Sequence, residues 1–301
     1  MNIERPQRPV IGVLWMLATG LCFVAVTGIV RYLGADLPAA QGAFIRFAFG
    51  LAFLIPALLS AFRRGFAPGA PRLFIIRGMF HTLGVVLWFF AMARIPVAEV
   101  TAIGYLNPIV VTIGAAFVFG EKLALRRILA ICLAIIGALI VLRPGLRAIE
   151  PGHWSQLGAA VSFGLSYLIA KRLTQLAPAS AVVAMMSLTV TVGLAPFAAL
   201  VWVPVTLVQY GWLALVAAFA TGGHYCMTRA FAEAPMTVTQ PVTFLQLIWA
   251  TALGALVFSE PVDPWVIVGG ALIIGAISYM TWREAQIRRR AVTPMVGAVK
   301  F

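Results

Sequence analysis

The chain has 301 residues, of which 62% are hydrophobic and 10% are charged, and it carries a net charge of +13 at pH 7. Soluble domains are about half apolar and about a quarter charged, so this composition excludes an ordinary soluble domain and predicts a multi-pass membrane protein. Cys22, Cys132 and Cys226 lie in apolar stretches without CxxC spacing. That pattern indicates neither a disulfide framework nor a metal site, and no cofactor motif accompanies it.

Ten apolar segments are long enough to cross a hydrocarbon core, which needs about 20 helical residues. Backbone amides cannot stay unpaired in lipid, and the segments lack the alternating pattern of barrel strands, so we expect helices. In chain order the segments are 10–30, 38–62, 73–93, 97–119, 125–142, 154–170, 181–203, 207–228, 236–258 and 264–282. The predicted fold is therefore an all-α integral membrane protein with ten transmembrane helices.

The positive charges alternate along the chain between the two sides of these helices. With a cytoplasmic N-terminus, 17 of the 22 Lys and Arg residues, Arg77 among them, fall on the inside. The outside has Arg31, Arg94, Arg143 and Arg147. This asymmetry follows the positive-inside rule and predicts that both termini are cytoplasmic. The basic tail 284–301 suits anionic lipid headgroups, so the bilayer rather than nucleic acid is the expected partner.

The second half of the chain repeats the first at an offset of 139 residues. Segment 95–121 is echoed by 234–260, with Pro96 aligned to Pro235 and Phe119 to Phe258. Five helices per copy is an odd number, so the two copies enter the membrane from opposite sides. The predicted organisation is an N-terminus (1–9), a first repeat (10–147), a second repeat (148–283) and the tail. Inverted repeats of this kind support alternating access around a central site.

Several short motifs resemble the EamA-type repeat of the drug/metabolite transporter superfamily. They are Arg46-Phe47, 94–98, Asn107-Pro108, Gly120-Glu121-Lys122 and Gly137 in the first copy, and 232–235, Gln246, Ser259-Glu260 and Gly275 in the second. Ser259 replaces the usual glycine, and Leu247 stands where the first copy has Pro108. The resemblance, with the YddG-like amino-acid exporters as a similar group, implies export of amino acids, other metabolites or drugs across the bacterial inner membrane.

Three basic side chains lie deep within the predicted helices. Arg46 lies about eight residues into its helix, roughly 12 Å from the outer end at 1.5 Å per residue. A charge at this depth needs an explanation: it can face a water-filled cavity and hold a substrate carboxylate, or it can bond helix-end carbonyls. His81 and His224 are on equivalent helices about one turn out of register, and either binds substrate or bridges helices.

Aromatic and amide side chains supply the predicted lining of a substrate site. The lining residues are Trp88, Tyr105, Asn107, Tyr167, Tyr225, Gln246 and Trp249. Asn107 and Gln246 are repeat mates, and interhelical hydrogen bonding is their alternative role. Pro108 and Pro241 interrupt helices and are predicted hinges. An arginine with amides and aromatic walls suits a small amphipathic solute better than a sugar or an inorganic ion.

The acidic residues lie near predicted helix ends, which disfavours proton coupling through an intramembrane carboxylate and favours gradient-driven, facilitated transport. Glu121 and Glu260 are expected to accept amide hydrogen bonds at the start of the following helix. A carrier of nucleotide sugars, phosphate esters or drug-like solutes is the alternative, although phosphate needs several cations and Arg46 stands alone in the sequence. A membrane enzyme is a second alternative, without a nucleophile-base motif to support it.

Small residues recur every four positions on helices five and ten. They are Ala130, Ala134 and Ala138 on the former, and Ala271 and Gly275 on the latter. Such spacing permits close helix contact, either between the two repeats or in a homodimer.

Overall fold

The computed structural model of the chain describes residues 9–34, 36–107, 109–110, 113–114, 125–146, 148–173, 176–233, 242 and 245–292. Eleven α-helices account for most of this described part. They are α1 (Pro9–Leu33), α2 (Ala39–Phe53), α3 (Ile55–Arg64), α4 (Ala70–Met92), α5 (Val97–Gly104), α6 (Leu125–Leu142), α7 (Pro151–Leu173), α8 (Ala179–Leu200), α9 (Leu207–Glu233), α10 (Leu245–Phe258) and α11 (Pro264–Val292).

Three of the described helices are long and apolar enough to cross a membrane by themselves. These spans are Val10–Leu33, Ala70–Met92 and Ser180–Leu200, and the bent pair α2 and α3 makes a fourth if counted together. Shorter apolar helices occur at Ile128–Leu142, Leu245–Val257 and Pro264–Met280. The helical class is thus confirmed for the described residues, whereas the count of ten and the orientation of the termini stay predictions.

The predicted second transmembrane segment, 38–62, is two helices rather than one. The axes of α2 and α3 are bent by 68° at Leu54, and Pro56 is the second residue of α3. Proline has no N–H to continue the hydrogen-bond ladder, and its ring conflicts with the carbonyl four residues earlier, at Ala52. The helix therefore ends before Pro56, and a new one begins where proline is tolerated.

The closest helix packing joins the two repeats. α1 packs along α9, α4 along α7, and α6 along α11. At the offset of 139 residues, α1 corresponds to α7 and α4 to α9, so the first two pairs are equivalent contacts related by the duplication. The main hydrophobic core lies between them and includes Val26, Phe47, Phe89 and Val190.

The backbones of α6 and α11 touch at a pair of glycines. A Cβ on Gly137 would lie 2.7 Å from the Gly269 carbonyl oxygen, and one on Gly269 would lie 2.5 Å from that of Gly137. Ala130, Ala134 and Ala138 are buried at the same contact, so the small residues of helix five join the repeats within one chain. The exposed positions Ala271 and Gly275 of α11 are unused there, and the homodimer stays a prediction.

One end of the bundle, where α1, α4 and α8 finish and α2, α5 and α9 begin, is called the distal end. The Arg31 guanidinium is 2.7 Å from the Glu260 carboxylate, and the backbone N–H of Val97 donates to Glu260 Oε2 at 3.0 Å. Glu260 thus accepts an amide hydrogen bond at a helix start, as expected of it, but the helix is α5 of the other repeat and not α11. The reason is that Arg31 and Val97 together attract the carboxylate across the repeat interface.

Further polar contacts at the distal end also cross between repeats. His153 Nε2 lies 2.7 Å from Glu99 Oε2, and both side chains are 4% exposed. Arg143 pairs with Asp263. Gln41 donates to the Val203 carbonyl at 2.8 Å and accepts from its N–H at 2.9 Å. Among the described residues, the distal end is therefore held by two ion pairs, one histidine–carboxylate hydrogen bond and one amide contact, together termed the distal contacts.

Candidate functional site

Four helices direct basic and aromatic side chains into the interior of the bundle. Arg46 on α2, Arg77 and His81 on α4, Tyr167 on α7 and His224 on α9 form the central cluster. His81 lies within electrostatic range of Arg77, His224 and Arg46, and Arg77 lies within range of Tyr167. The cluster therefore draws on both repeats of the chain.

His81 sits at the midpoint of α4 and is 6% exposed. Its Nδ1 is 3.1 Å from Ser166 Oγ on α7, which fixes the ring orientation. The ring centroid lies 5.0 Å from that of Phe163 and 6.1 Å from that of Phe47. His81 is thus held between the two repeats by one hydrogen bond and two aromatic contacts.

Arg77 is a member of the cluster that the charge pattern of the sequence places on the cytoplasmic side, and the structure shows that its side chain is buried within the protein. Its side chain is only 6% exposed, because Arg77 lies one helical turn from His81 on the same buried face of α4. Its guanidinium donates to the Val182 carbonyl at 2.9 Å and to Met186 Sδ at 3.2 Å. Its Nε is buried without a hydrogen-bond partner among the described residues. The four-residue spacing from His81 was the signal that could have revealed it.

Arg46 differs from Arg77 in having no polar partner within the described part of the chain. Its guanidinium carbon lies 3.9 Å from the centroid of the Phe47 ring, and the side chain is half-buried. The cation–π contact supports the charge in part, while its hydrogen-bond donors remain available. Arg46 also lies within electrostatic range of His224.

Aromatic rings surround these basic groups. The Phe23 ring centroid is 5.2 Å from that of His224, and Phe163 stacks on Tyr167 at 6.3 Å. Tyr167 retains 44% exposure although its neighbours Phe163 and Arg77 are inside the bundle. The cluster therefore combines a positive centre with apolar walls and includes one partly exposed aromatic ring.

The helices that supply the cluster lack acidic residues near it. α2, α4 and α7 contain no Asp or Glu, and Glu233 of α9 is the last residue of that helix. None of the interactions described for Arg46, Arg77 and His81 is with a carboxylate. The described part of the cluster is therefore a site of positive charge without an internal counter-ion.

Three of the aromatic residues predicted to line the substrate site pack elsewhere in the bundle. Trp88 packs on Phe89 with ring centroids 5.3 Å apart, at the edge of the main core. Tyr225 makes an edge contact with Trp15 at 6.1 Å, and Trp249 lies against Gly20, where a Cβ would be 2.8 Å from its ring. No described contact joins these three to the central cluster.

The remaining residues predicted for the site lie elsewhere in the bundle or outside the described residues. Tyr105 packs between α5, α6 and α11. Asn107 Oδ1 is buried without a partner among the described residues, and Gln246 is half-buried on α10. Pro108 and Pro241 lie outside the described residues, so their role as hinges stays a prediction. The structure thus brings together Arg46, His81, Tyr167 and His224, and their part in substrate binding also stays a prediction.

Three residues that contact the central cluster or the distal end were not identified from the sequence. They are Phe163, Ser166 and His153. Phe163 and Ser166 contact His81, and nothing in the sequence marks them among 20 phenylalanines and many serines. His153 is three residues into α7 and is paired with Glu99 at the distal end, so the third histidine of the chain lies away from the central cluster.

Proteins with known structures share this helical arrangement. A solved crystal structure, 20% identical in sequence, covers 91% of this chain and 97% of its own with a TM-score of 0.59. At that identity the likeness shows the fold alone.

Curated relatives match along nearly the whole chain. A riboflavin transporter of Rhizobium johnstonii is 29% identical over 95% of both chains. An S-adenosylmethionine uptake transporter of Rickettsia bellii is 23% identical over 94% of this chain and 97% of its own. The pseudopaline exporter CntI of Pseudomonas aeruginosa is 26% identical over 88% and 94%.

The two repeats are also recognised separately by one family description. The EamA-like transporter family matches residues 10–143 and again residues 151–282, which confirms both the duplication and the resemblance of the motifs. Its members are multi-pass membrane transporters of small molecules, not enzymes. The chain belongs to the EamA-like transporter family of the drug/metabolite transporter superfamily.

Proposed function

We propose that this protein moves small amphipathic metabolites that carry a carboxylate, above all amino acids including aromatic ones, out of the bacterial cytoplasm across the inner membrane. The observation that carries the proposal is the Arg46 guanidinium, which has no polar partner among the described residues and lies in an aromatic interior.

Arginine is suited to this role because its planar guanidinium bonds a carboxylate through two parallel N–H groups. The rings of Phe47, Phe163 and Tyr167 offer apolar faces for the body of the solute. The Tyr167 ring is itself partly exposed. Carboxylate capture with apolar walls thus matches a small amphipathic acid.

The arrangement of the repeats supports alternating access as the proposed transport mechanism. The cluster takes α2 and α4 from the first repeat and α7 and α9 from the second, so a relative movement of the repeats changes which side it faces. The distal contacts hold one side together. Relatives are named both for uptake and for export, and the outward direction is supported by the resemblance to amino-acid exporters.

Transport is proposed to be facilitated and driven by the substrate gradient. The helices that build the cluster contain no Asp or Glu except Glu233 at the end of α9, so the described site has no nearby carboxylate to carry a coupling proton. In liposomes, solute should equilibrate and not accumulate. Accumulation driven by a proton gradient alone would contradict this part of the proposal.

The test uses purified protein in liposomes and the initial rate of labelled phenylalanine counterflow. Arg46→Gln should lower the rate by about 100-fold, the effect of losing a charged hydrogen-bonded contact of about 2.7 kcal/mol. Arg94→Gln is the matched control, because Arg94 also covers a phenylalanine ring, that of Phe90 at 3.6 Å, but is exposed at the distal end. Equal losses in both variants would contradict the proposed role of Arg46.

Arg77 favours a second candidate function, the carriage of phosphate esters or nucleotide sugars. A phosphate needs more than one cation, and the cluster contains two guanidinium groups. Counterflow of labelled glycerol phosphate in the same liposomes tests it. Flux of this ester without phenylalanine flux would favour the second candidate.

A further inference from the structure

The short helix α3 has an apolar face that no described part of the chain covers. Ile55, Leu59 and Phe62 are 48%, 50% and 53% exposed, and the exposed Arg63 and Arg64 follow them at the end of the helix. We propose that α3 and these two arginines form a binding site for an anionic phospholipid in the leaflet opposite the distal end. The site is separate from the central cluster and does not depend on which solute is carried.

The bend before α3 gives the helix the position of an interfacial helix. α2 begins at the distal end, so α3 lies at the opposite end of the bundle. The 68° bend turns this ten-residue helix, about 15 Å long, away from the direction of a membrane span and toward the membrane plane. Helices in that plane bury apolar side chains at the boundary of headgroups and acyl chains and present basic side chains to anionic lipids.

The inner face of α3 is fixed by packing, so the apolar face cannot turn inward. Ala61 is buried, and Leu58 packs against a buried cluster that includes Phe74. Just beyond the helix, the Phe66 ring lies 5.5 Å from the Phe62 ring and 5.4 Å from the Phe74 ring, measured between centroids. The outer face is therefore held toward the surroundings of the protein.

An open groove of about 440 Å³ runs along this outer face. It is lined by Pro56, Leu59, Ser60, Arg63 and Arg64, so apolar side chains lie at one end and a hydroxyl with two guanidinium groups at the other. A phospholipid has the same order of groups, with acyl chains next to a phosphate. The hydroxyl and the guanidinium groups can donate hydrogen bonds to phosphate oxygens, while the apolar end contacts the first part of the acyl chains.

The charges around the groove favour an anionic occupant. The chain has no Asp or Glu between Asp36 and Glu99, and neither Arg63 nor Arg64 has an ion pair within the described part of the chain. The basic tail 284–301 and a second copy of this chain, with its net charge of +13, are both repelled by these arginines. An anionic lipid supplies the missing negative charge and also covers the apolar face.

The experiment measures the denaturant midpoint of the purified protein in detergent micelles that contain increasing mole fractions of phosphatidylglycerol. Phosphatidylcholine with the same acyl chains is titrated in parallel. A lipid that binds the folded protein raises the midpoint as its site fills. Phosphatidylglycerol should raise it until the rise saturates, whereas the electrically neutral phosphatidylcholine should raise it less. An equal rise with both lipids would overturn the proposed anionic site.

Arg63→Gln/Arg64→Gln should bind phosphatidylglycerol about 30-fold more weakly, because two contacts between cations and the headgroup are lost. Arg63→Lys/Arg64→Lys keeps both charges and should retain most of the binding. Arg72→Gln/Arg94→Gln is the matched control, because it removes two exposed arginines that do not line the groove, and it should behave as the wild type. Each variant is compared with its own midpoint without lipid. Unchanged binding in Arg63→Gln/Arg64→Gln, or equal weakening in the control, would overturn the assignment to α3.

Two further measurements separate a lipid from a soluble phosphate. Glycerol phosphate has the phosphate without the chains, so at the same total phosphate concentration it should leave the midpoint unchanged. An equal rise would overturn the assignment to a lipid and indicate a site for soluble phosphate. Leu59→Ser should weaken phosphatidylglycerol binding by about threefold or more, whereas Leu256→Ser, at an exposed position of α10, should not. Equal binding by these two variants would overturn the contact between Leu59 and the acyl chains.

Discussion

The centre and the distal end of this bundle both contain arginine and histidine side chains, but the two regions surround them with different groups. At the distal end, Arg31, Arg143 and His153 each face a carboxylate of the other repeat. In the centre, Arg46 and Arg77 face carbonyl, sulfur and aromatic groups. A charge paired with a carboxylate stabilises one arrangement of the repeats, whereas we propose that a charge without such a partner interacts with a solute.

Two arginines that both cover phenylalanine rings show the difference between the two regions most clearly. Arg94 on Phe90 is exposed and donates to the Phe90 carbonyl at 3.2 Å. Arg46 on Phe47 is half-buried at the centre and has no such acceptor among the described residues. The ring contact alone therefore does not indicate a binding site. The depth of Arg46 and its lack of a described polar partner are what support its proposed role.

The largest expected effect on stability is at the buried contact between His153 and Glu99. His153→Phe should destabilise the protein by about 3 kcal/mol, because the buried Glu99 carboxylate loses the hydrogen bond from His153 Nε2. Unfolding in detergent, followed by circular dichroism against denaturant, measures it. The double variant Glu99→Leu/His153→Phe should recover most of the loss, and failure to recover it would show that packing at His153 matters more than charge.

Arg46→Met should have a large effect on transport and a small effect on stability, the reverse of His153→Phe. Its transport rate should fall by about 100-fold, whereas its free energy of unfolding should stay within about 1 kcal/mol of the wild type, because no described ion pair is broken. The same unfolding assay and phenylalanine counterflow measure the two quantities. A large loss of stability with normal transport would place Arg46 among the structural arginines and remove the contrast with the distal end.

Glu260→Gln tests a partly exposed distal ion pair by removing charge while keeping an acceptor for Val97. Arg31 is 21% and Glu260 9% exposed at the side chain, so solvent screens the pair in part. We expect a loss of about 1 kcal/mol in unfolding free energy, seen as a small shift in the denaturant midpoint. An effect as large as that of His153→Phe would show that the cost of removing a distal contact does not increase with its burial.

The sequence predicted the helical class, the duplication and three of the central basic residues, because hydropathy, offset and depth are local properties. It could not predict that Arg77 is buried, since a position two turns into a helix is compatible with either the membrane surface or the interior. It also could not pair Arg31 with Glu260 or His153 with Glu99. Those contacts depend on how the repeats pack, and each residue by itself sits where an interfacial charge is expected.

Ser166→Ala gives the smallest predicted effect and tests how the centre is held. The variant removes the hydroxyl that bonds His81 Nδ1 across the repeats, which should lower the unfolding free energy by about 1 kcal/mol. The Arg46 side chain is untouched, so the rate of phenylalanine counterflow should fall by about threefold or less. Ser166→Thr keeps a hydroxyl and is the control. If Ser166→Ala lowered the rate as much as Arg46→Met, transport would depend on the orientation of His81 as well as on the charge of Arg46.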